Sequence, residues 1–489
     1  MKYVTEGLQP AEPLRYFEEI SCIPRASRNE KAVAQVVYDF AKGLGLDAKM
    51  DDAYNVVVKK PASPGCEEVP PLMLQGHMDM VCVKLPGVEH DFDKDPLQLE
   101  IVDGKLKAKG TTLGADNGTA CAYMMALLAK DDYVHPPLEC VFTTMEEIGL
   151  LGAMALDAGW ISARRMINMD SGASTDNQTV VSCAGGIVLD FTKQPQWQAA
   201  QGEALKLRIS GLLGGHSAIT IGEGRGNALK LMARVLQEVF TAVGSLQIAW
   251  FEGGMKMNAI VSEAQASITV PAGSGAPALA AAQQAAAKIK AELAASDPGF
   301  CFEAEAAALP AQTLSDAESA ALWQFLFLLP DGMRQMSREM SGLVHCSSNI
   351  GILTMSPEQI YLCDCVRSAE DSLGENLAAE LTALAGLLGF TAKRGISFSG
   401  WKYDPDSPLR ALCMQVYQDM FGREMELQAT HGGLECGEFK GKFPEMDIMT
   451  VAPTCDGAHT PEEYIDLASF ARTYDYLFEV FRALCGAKG

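Results

Sequence analysis

The chain lacks any apolar run approaching the length of a membrane span. Its first 25 residues carry Glu6, Glu12, Glu18 and Glu19 and no continuous apolar stretch, so they do not read as a secretory signal. Basic charge is scarce: 39 Lys and Arg stand against 62 Asp and Glu, and the formal charge of −23 would repel both a phosphate backbone and an anionic membrane surface. Neither nucleic acid nor membrane is expected as a partner. No CxxC pair occurs among the 14 cysteines, which are scattered and mostly lie in apolar stretches, with Cys363 and Cys365 as the one close doublet. They read as reduced core thiols of a cytoplasmic protein rather than a disulfide framework or soft-metal site. What is present is a globular composition, 48% hydrophobic and 21% charged, over 489 residues. That length exceeds one ordinary core and predicts two or more domains.

Helical and strand patterns alternate through residues 1–185, which predicts a mostly parallel sheet with helices on both faces. Helical periodicity covers residues 29–42, closed by Gly43 and Gly45, and resumes after Asn117 as far as Ala129. Short apolar runs fall at 72–74, 138–142 and 166–169, and a fourth at 446–451 precedes a last amphipathic helix over 461–484. The expected α/β catalytic domain therefore comprises residues 1–185 and 398–489. An α+β insert of different texture, residues 186–397, interrupts it. Its order is strand (205–209), helix (227–240), two strands to about 270, helix (278–294) and strand (300–306), a βαββαβ ferredoxin-like unit. A related order follows as helix (320–328), strands (347–354 and 359–366), helix (373–388) and strand (391–397). With Asn258-Ala-Ile and Asn349-Ile-Gly at comparable places, the insert is compatible with a duplicated unit.

Candidate metal ligands follow the apolar runs instead of lying inside them. Gln75-Gly-His77-Met-Asp79 follows the first run, Thr143-Thr-Met-Glu146-Glu147 the second, and Asp170 the third; after the fourth the chain loops to His459. Ligands in open α/β sheets bind beyond the carboxyl ends of the strands, so four strand ends can share one crevice. Asp116 joins them from a Gly-rich turn, residues 110–118, that opens a helix and contains neither a GxGxxG nor a Walker pattern. Two imidazoles and three carboxylates suit zinc better than calcium or copper. Five ligands favour two ions sharing a carboxylate, an arrangement that lowers the pKa of a bridging water and polarises an amide carbonyl. A base must still take the water's proton, and one of two adjacent carboxylates can stay off the metal for that purpose; Glu146 is assigned to it. Each element alone has a plainer explanation, such as a surface His-x-Asp pair, a solvated Glu-Glu or a turn-capping Asp.

These residues resemble the di-zinc metallopeptidases related to aminoacylases and glutamate carboxypeptidases, most closely their aminoacyl-histidine dipeptidase branch, over essentially the whole chain. The resemblance is carried by residues 75–80, 109–118, 183–186 and 214–217, by His431-Gly-Gly-Leu-Glu-Cys-Gly437, and by residues 444–447. It implies that His77, Asp116 and Asp170 bind one zinc, that Asp116, Glu147 and His459 bind the other, and that Co2+ or Mn2+ can substitute. It implies that Asp79 fixes the His77 tautomer, and in such relatives the bond matching Asp116–Asn117 is often cis. Asp at position 170 goes with amino- and dipeptidases in such relatives, and Glu with carboxypeptidases. The insert resembles the family's lid domain. There His216 would hydrogen-bond the developing oxyanion, Asn258 would assist it, and Arg367 would pair with the substrate's terminal carboxylate. Glu435 is a candidate anchor for the substrate amino group. His90, His135 and His345 match no functional position. Gly433 and Thr460 depart from residues common in relatives without touching a ligand.

The expected function is metal-dependent hydrolysis of dipeptides, Xaa-His among them, by a zinc-bridged water with Glu146 as general base. The rivals are an N-acyl amino acid deacylase or carboxypeptidase on the same scaffold, and a non-catalytic zinc-binding protein, which would have no use for Glu146. A homodimer is the default oligomer, although a duplicated lid leaves a monomer open.

Overall fold

A computed structural model describes residues 3–170 and 175–486. Two compact units emerge, one from Met1–Cys183, Trp401–Ala429 and Leu434–Gly489, the other from Ala184–Gly400 and Thr430–Gly433.

In the first unit a six-stranded sheet has the order Asp47–Met50, Val56–Lys60, Leu138–Thr143, Leu72–His77, Arg165–Asn168, Asp447–Thr450. The last four strands run parallel, and Val56–Lys60 pairs antiparallel with both of its neighbours. Successive side chains of a strand point to opposite faces. Leu72 and Leu74 accordingly enter one core, with the helices Ala11–Ser21, Lys31–Gly43, Ala115–Ala129 and Leu467–Leu484. Met73 enters a second core with Phe439 of the short helix Glu435–Lys442. Burial on both faces explains why these strands read as continuous apolar runs and not as alternating patterns. The Ala115–Ala129 helix is apolar nearly all round because it is buried nearly all round. Gly76 lets it come close: a Cβ there would lie 2.3 Å from both Ala120 Cβ and Asn117 Oδ1.

The last helix is shorter than its periodicity predicts, Leu467–Leu484. Tyr464–Asp466 pairs instead as a strand with Lys105–Ala108, and Asp466 caps the helix by accepting a hydrogen bond from Ser469 N at 2.7 Å.

Among the described residues of the second unit, a nine-stranded sheet contains two halves. One half runs Cys301–Ala307, Glu203–Ser210, Ala264–Val270, Gln247–Gly253, which is the order 4-1-3-2 of an antiparallel βαββαβ unit. The other runs Thr391–Phe398, Gly185–Lys193, Ile360–Ser368, Val344–Met355, again 4-1-3-2. The sequence pattern starts this second run at its first helix. The structure supplies the missing first strand, Gly185–Lys193, which lies before the whole of the other half in the chain. Gly332–Met336 adds beside Val344–Met355, and the two halves meet where Gly253 pairs with Leu353. Thr430–Gly433 joins this unit, with His431 Nε2 2.7 Å from Ser347 Oγ.

Candidate metal centre

The parallel register brings the strand ends of the first unit level. His77 pairs with Thr143, Gln75 with Asn168, and Thr450 with Asn168. The segments carrying Glu146–Glu147, His77–Asp79, Asp170 and His459 therefore leave the sheet at one end, in neighbouring positions. Asp116 arrives from the first turn of the buried helix. It and Asn117 have non-helical dihedrals and their peptide bond is cis, so regular helix begins after Asn117, as the sequence predicts. His459 occupies the left-handed region at φ +64°, unfavourable for a residue with a Cβ, at the tip of its loop.

Asp116 is the hub. Its Oδ1 lies 2.9 Å from His77 Nε2 and its Oδ2 3.3 Å from His459 Nε2. Glu147 Oε1 is 3.0 Å from His459 Nε2, and Asp170 Oδ2 is 3.9 Å from His77 Nε2. Three groups of side chains have ligand atoms close enough to share an ion: His77/Asp116/Asp170, Asp116/Glu147/His459 and His77/Glu146/Glu147. The first two share Asp116. Their donors, imidazole nitrogen and carboxylate oxygen, suit zinc or a similar borderline divalent cation, so the residues present fit the metal that the sequence implies.

The electrostatics fit it too. Burial works against ionised Asp116, but hydrogen bonds from His459 and His77 outweigh it and hold the carboxyl far below its usual range. His77 is desolvated, yet Asp116 and Asp79 keep its proton well above the ordinary histidine range. Hydrogen bonds to Asp116 and Glu147 raise His459 to about 11. Burial, reinforced by Asp116, pushes Asp170 up to about 8. Protons thus neutralise part of a dense anionic cluster, a task a divalent cation performs when it displaces them. Glu146 is raised well above its usual value, first by burial and then by Asp170 and Glu147 against the pull of His77.

Asp79 has more tasks than the resemblance implies. His77 Nδ1 is 3.1 Å from its backbone carbonyl and 3.4 Å from its carboxylate. The same carboxylate accepts hydrogen bonds from Ser27 Oγ at 2.8 Å, Glu146 N at 3.1 Å and Glu147 N at 3.3 Å. It therefore orients the imidazole and the Glu-Glu turn together. Beneath the cluster, Glu435 is fully buried; its Oε2 accepts from Thr143 Oγ1 at 2.7 Å and from Gln75 Nε2, while its Oε1 has no partner. Burial raises Glu435 to about 7. Gln75 accepts in turn from Asn168, whose Oδ1 takes the Asp170 N–H at 3.1 Å. Gln75 and Asn168 escaped the sequence reading, although polar side chains ending buried strands were the available signal. Ser27 gave none.

In the second unit, Gly215–His216 pairs with Ala259–Ile260, which sets His216 Nε2 3.2 Å from the Asn258 side-chain amide. His216 Nδ1 accepts from Ala218 N at 3.1 Å, and it is the Asn258 Nδ2 that faces Nε2. Desolvation, then Arg367, keeps its pKa below the ordinary value. Arg367 is buried on the strand Ile360–Ser368, its Nε 3.4 Å from Ser217 Oγ, and among the described residues no carboxylate pairs with it. His431 was missed as a neighbour of this group. Burial, then Arg367, lowers its pKa to about 3. His135 stacks on Tyr133 and His90 packs edge-on against Phe92, both in packing roles.

The profile described as peptidase family M20/M25/M40 matches residues 73–483. The cytosol non-specific dipeptidase of Escherichia coli K12 is 34% identical over 482 residues, covering 98% of each chain. The crystal structure of aminoacylhistidine dipeptidase from Vibrio alginolyticus is similar with a TM-score of 0.89 at 33% identity, covering 99% of this chain and 98% of that one. The aminopeptidase PepT from Bacillus cereus shares the fold at a TM-score of 0.55 and 16% identity, covering 97% of this chain and 98% of its own.

Proposed function

The chain belongs to peptidase family M20/M25/M40 and is a metal-dependent peptide hydrolase, and from that premise we propose that it cleaves dipeptides with free termini, Xaa-His among them, using two divalent cations of the zinc class. The observation that carries the proposal is the position of Asp116 in two overlapping ligand groups, each with one imidazole and one further carboxylate. His77 and Asp170 would complete one ion's set; Glu147 and His459 would complete the other. When bound, such a pair of ions polarises the scissile carbonyl and acidifies water.

The chain's own residues supply the rest. Glu146 takes the proton of the attacking water and passes it to the leaving amine, a role supported by a carboxylate that accepts no hydrogen bond from the protein among the described residues. Asp79 holds the Glu146 amide and the His77 ring in register. His216 donates to the developing oxyanion beside Asn258. Arg367, free of any carboxylate among the described residues, takes the substrate's terminal carboxylate. Glu435, with Oε1 unpartnered, takes the substrate's amino group. Likeness to the cytosol non-specific dipeptidase of Escherichia coli supports action in the cytosol; no described helix is long and apolar enough to cross a membrane.

A dipeptide panel tests this. Metal-free and zinc- or manganese-loaded protein would be assayed on free dipeptides including Xaa-His, on their N-acetylated forms and on longer peptides. Loaded protein should cleave the free dipeptides and stripped protein none. Equal cleavage of N-acetylated substrates would instead identify a deacylase or carboxypeptidase.

A further inference from the structure

Two buried ionic side chains outside the ligand set grip the turn that delivers Asp116. Glu463 is 2% exposed and stands four residues beyond His459. Its Oε2 accepts the amides of Leu113 at 2.7 Å and Gly114 at 2.9 Å, and its Oε1 accepts the Asp116 amide at 3.2 Å. Arg25, also 2% exposed, works from another direction. Its Nη2 donates to Gly114 O at 2.6 Å, and its Nη1 to Met78 O at 2.9 Å and Asp79 O at 3.3 Å. Gly114 at φ +67° and Gly118 make room for the guanidinium: a Cβ at either would lie 2.3 Å or 2.8 Å from Arg25 Nη2.

The connectivity matters more than the burial. Glu463 joins the His459 segment to the Asp116 turn, and Arg25 joins the same turn to the one following His77. Segments that are remote in sequence, around 77–79, 113–116 and 459–463, are thereby fixed relative to one another by charge-assisted hydrogen bonds. Without such a grip the ligand loops, which belong to separate segments of the chain, would be free to relax apart, and each ion would have to gather them again. Outer partners that hold ligands typically contribute about 10–100-fold to metal affinity.

We propose that Glu463 and Arg25 are positioning residues that pre-assemble the two-cation centre, Glu463 by holding the Asp116 turn to the His459 segment, and Arg25 by tying Asp116 to His77. The proposal rests on the metal-centre reading above. Glu463→Gln keeps the shape but replaces one acceptor oxygen with a donor facing amide hydrogens.

The test is zinc titration of the metal-free full-length chain against a chromophoric chelator, with unfolding by urea measured alongside. The E463Q protein is expected to keep its urea midpoint and to bind zinc at the centre built on Asp116 roughly 10–100-fold more weakly. Its activity at limiting zinc should fall and recover when zinc is raised. Two zinc ions held by folded E463Q with the affinities of the parent overturn the proposal. Equal weakening of both ions together with a lowered urea midpoint overturns it too, since that is the mark of a general stability role. If E463Q does not fold, Glu463→Asp and Arg25→Lys are read in the same titration, and unchanged affinities in either folded variant overturn it. A parent chain that takes up no zinc defeats the metal-centre reading itself, which keeps the two failures distinct.

Discussion

Glu146 and Glu147 are adjacent in sequence and differ in what touches them. Glu147 reaches His459 at 3.0 Å, while Glu146 meets no hydrogen-bond donor among the described residues and is desolvated beside Asp170. Glu146→Gln keeps the volume and removes the base. It should retain two metal ions per chain, measured by elemental analysis, and lose turnover by roughly 10²–10⁴-fold, the usual worth of a positioned proton-transfer group. Near-parental turnover would remove Glu146 from the mechanism. Residues of this kind are legible because a cation needs particular donor atoms, and those atoms must stand where strands end. The side chains that hold the ligands are less legible. Ser27, Arg25 and Glu463 are ordinary polar residues until folding sets them against Asp79, Gly114 and Asp116, and no local pattern distinguishes them from surface residues.

Elements follow the same logic. The parallel strands were readable as apolar runs because both of their faces are covered, and the Ala115–Ala129 helix because its apolar composition is local. The strand Tyr464–Asp466 has the periodicity of a helix; its partner, Lys105–Ala108, is more than 350 residues away and periodicity does not report pairing. The strand Ile360–Ser368 hides a different feature, a carboxyl inside the second unit's core. Asp364 is fully buried and accepts from Ser348 Oγ at 2.8 Å and 3.0 Å. Desolvation raises it to about 8, and likewise raises Asp331 to about 6, with Lys230 opposing both. A carboxyl whose folded pKa exceeds its unfolded value favours the folded state while protonated. Asp364 therefore contributes fully below its unfolded pKa of about 4, and that contribution is lost as pH rises through about 8. Asp364→Asn should make urea stability less dependent on pH between about 4 and 8, and the difference from the parent should turn in the variant's favour toward the upper end. A parent and variant with parallel pH profiles would contradict a protonated Asp364.

On the scale of the whole molecule, the two units place their charge in different ways. The first concentrates carboxylates at one end of its sheet, and the second buries few and leaves Arg367 without a carboxylate partner among the described residues. Cations that bind only the first unit stabilise that unit alone, because ligand that binds the native form adds stability by mass action. Scanning calorimetry of stripped and zinc-loaded protein should then raise the transition that includes the first unit and leave a transition of the second unit where it was. Loading should also release protons, because His77 and His459 keep theirs well above neutrality in the metal-free protein. Both must give them up to ligate, so apparent zinc affinity should climb as pH rises from about 6 to 8. Isothermal titration in buffers of different ionisation enthalpy measures the release directly. Uptake with no proton exchange would mean that the imidazoles are not ligands, and the division of the centre between His77 and His459 would have to be abandoned.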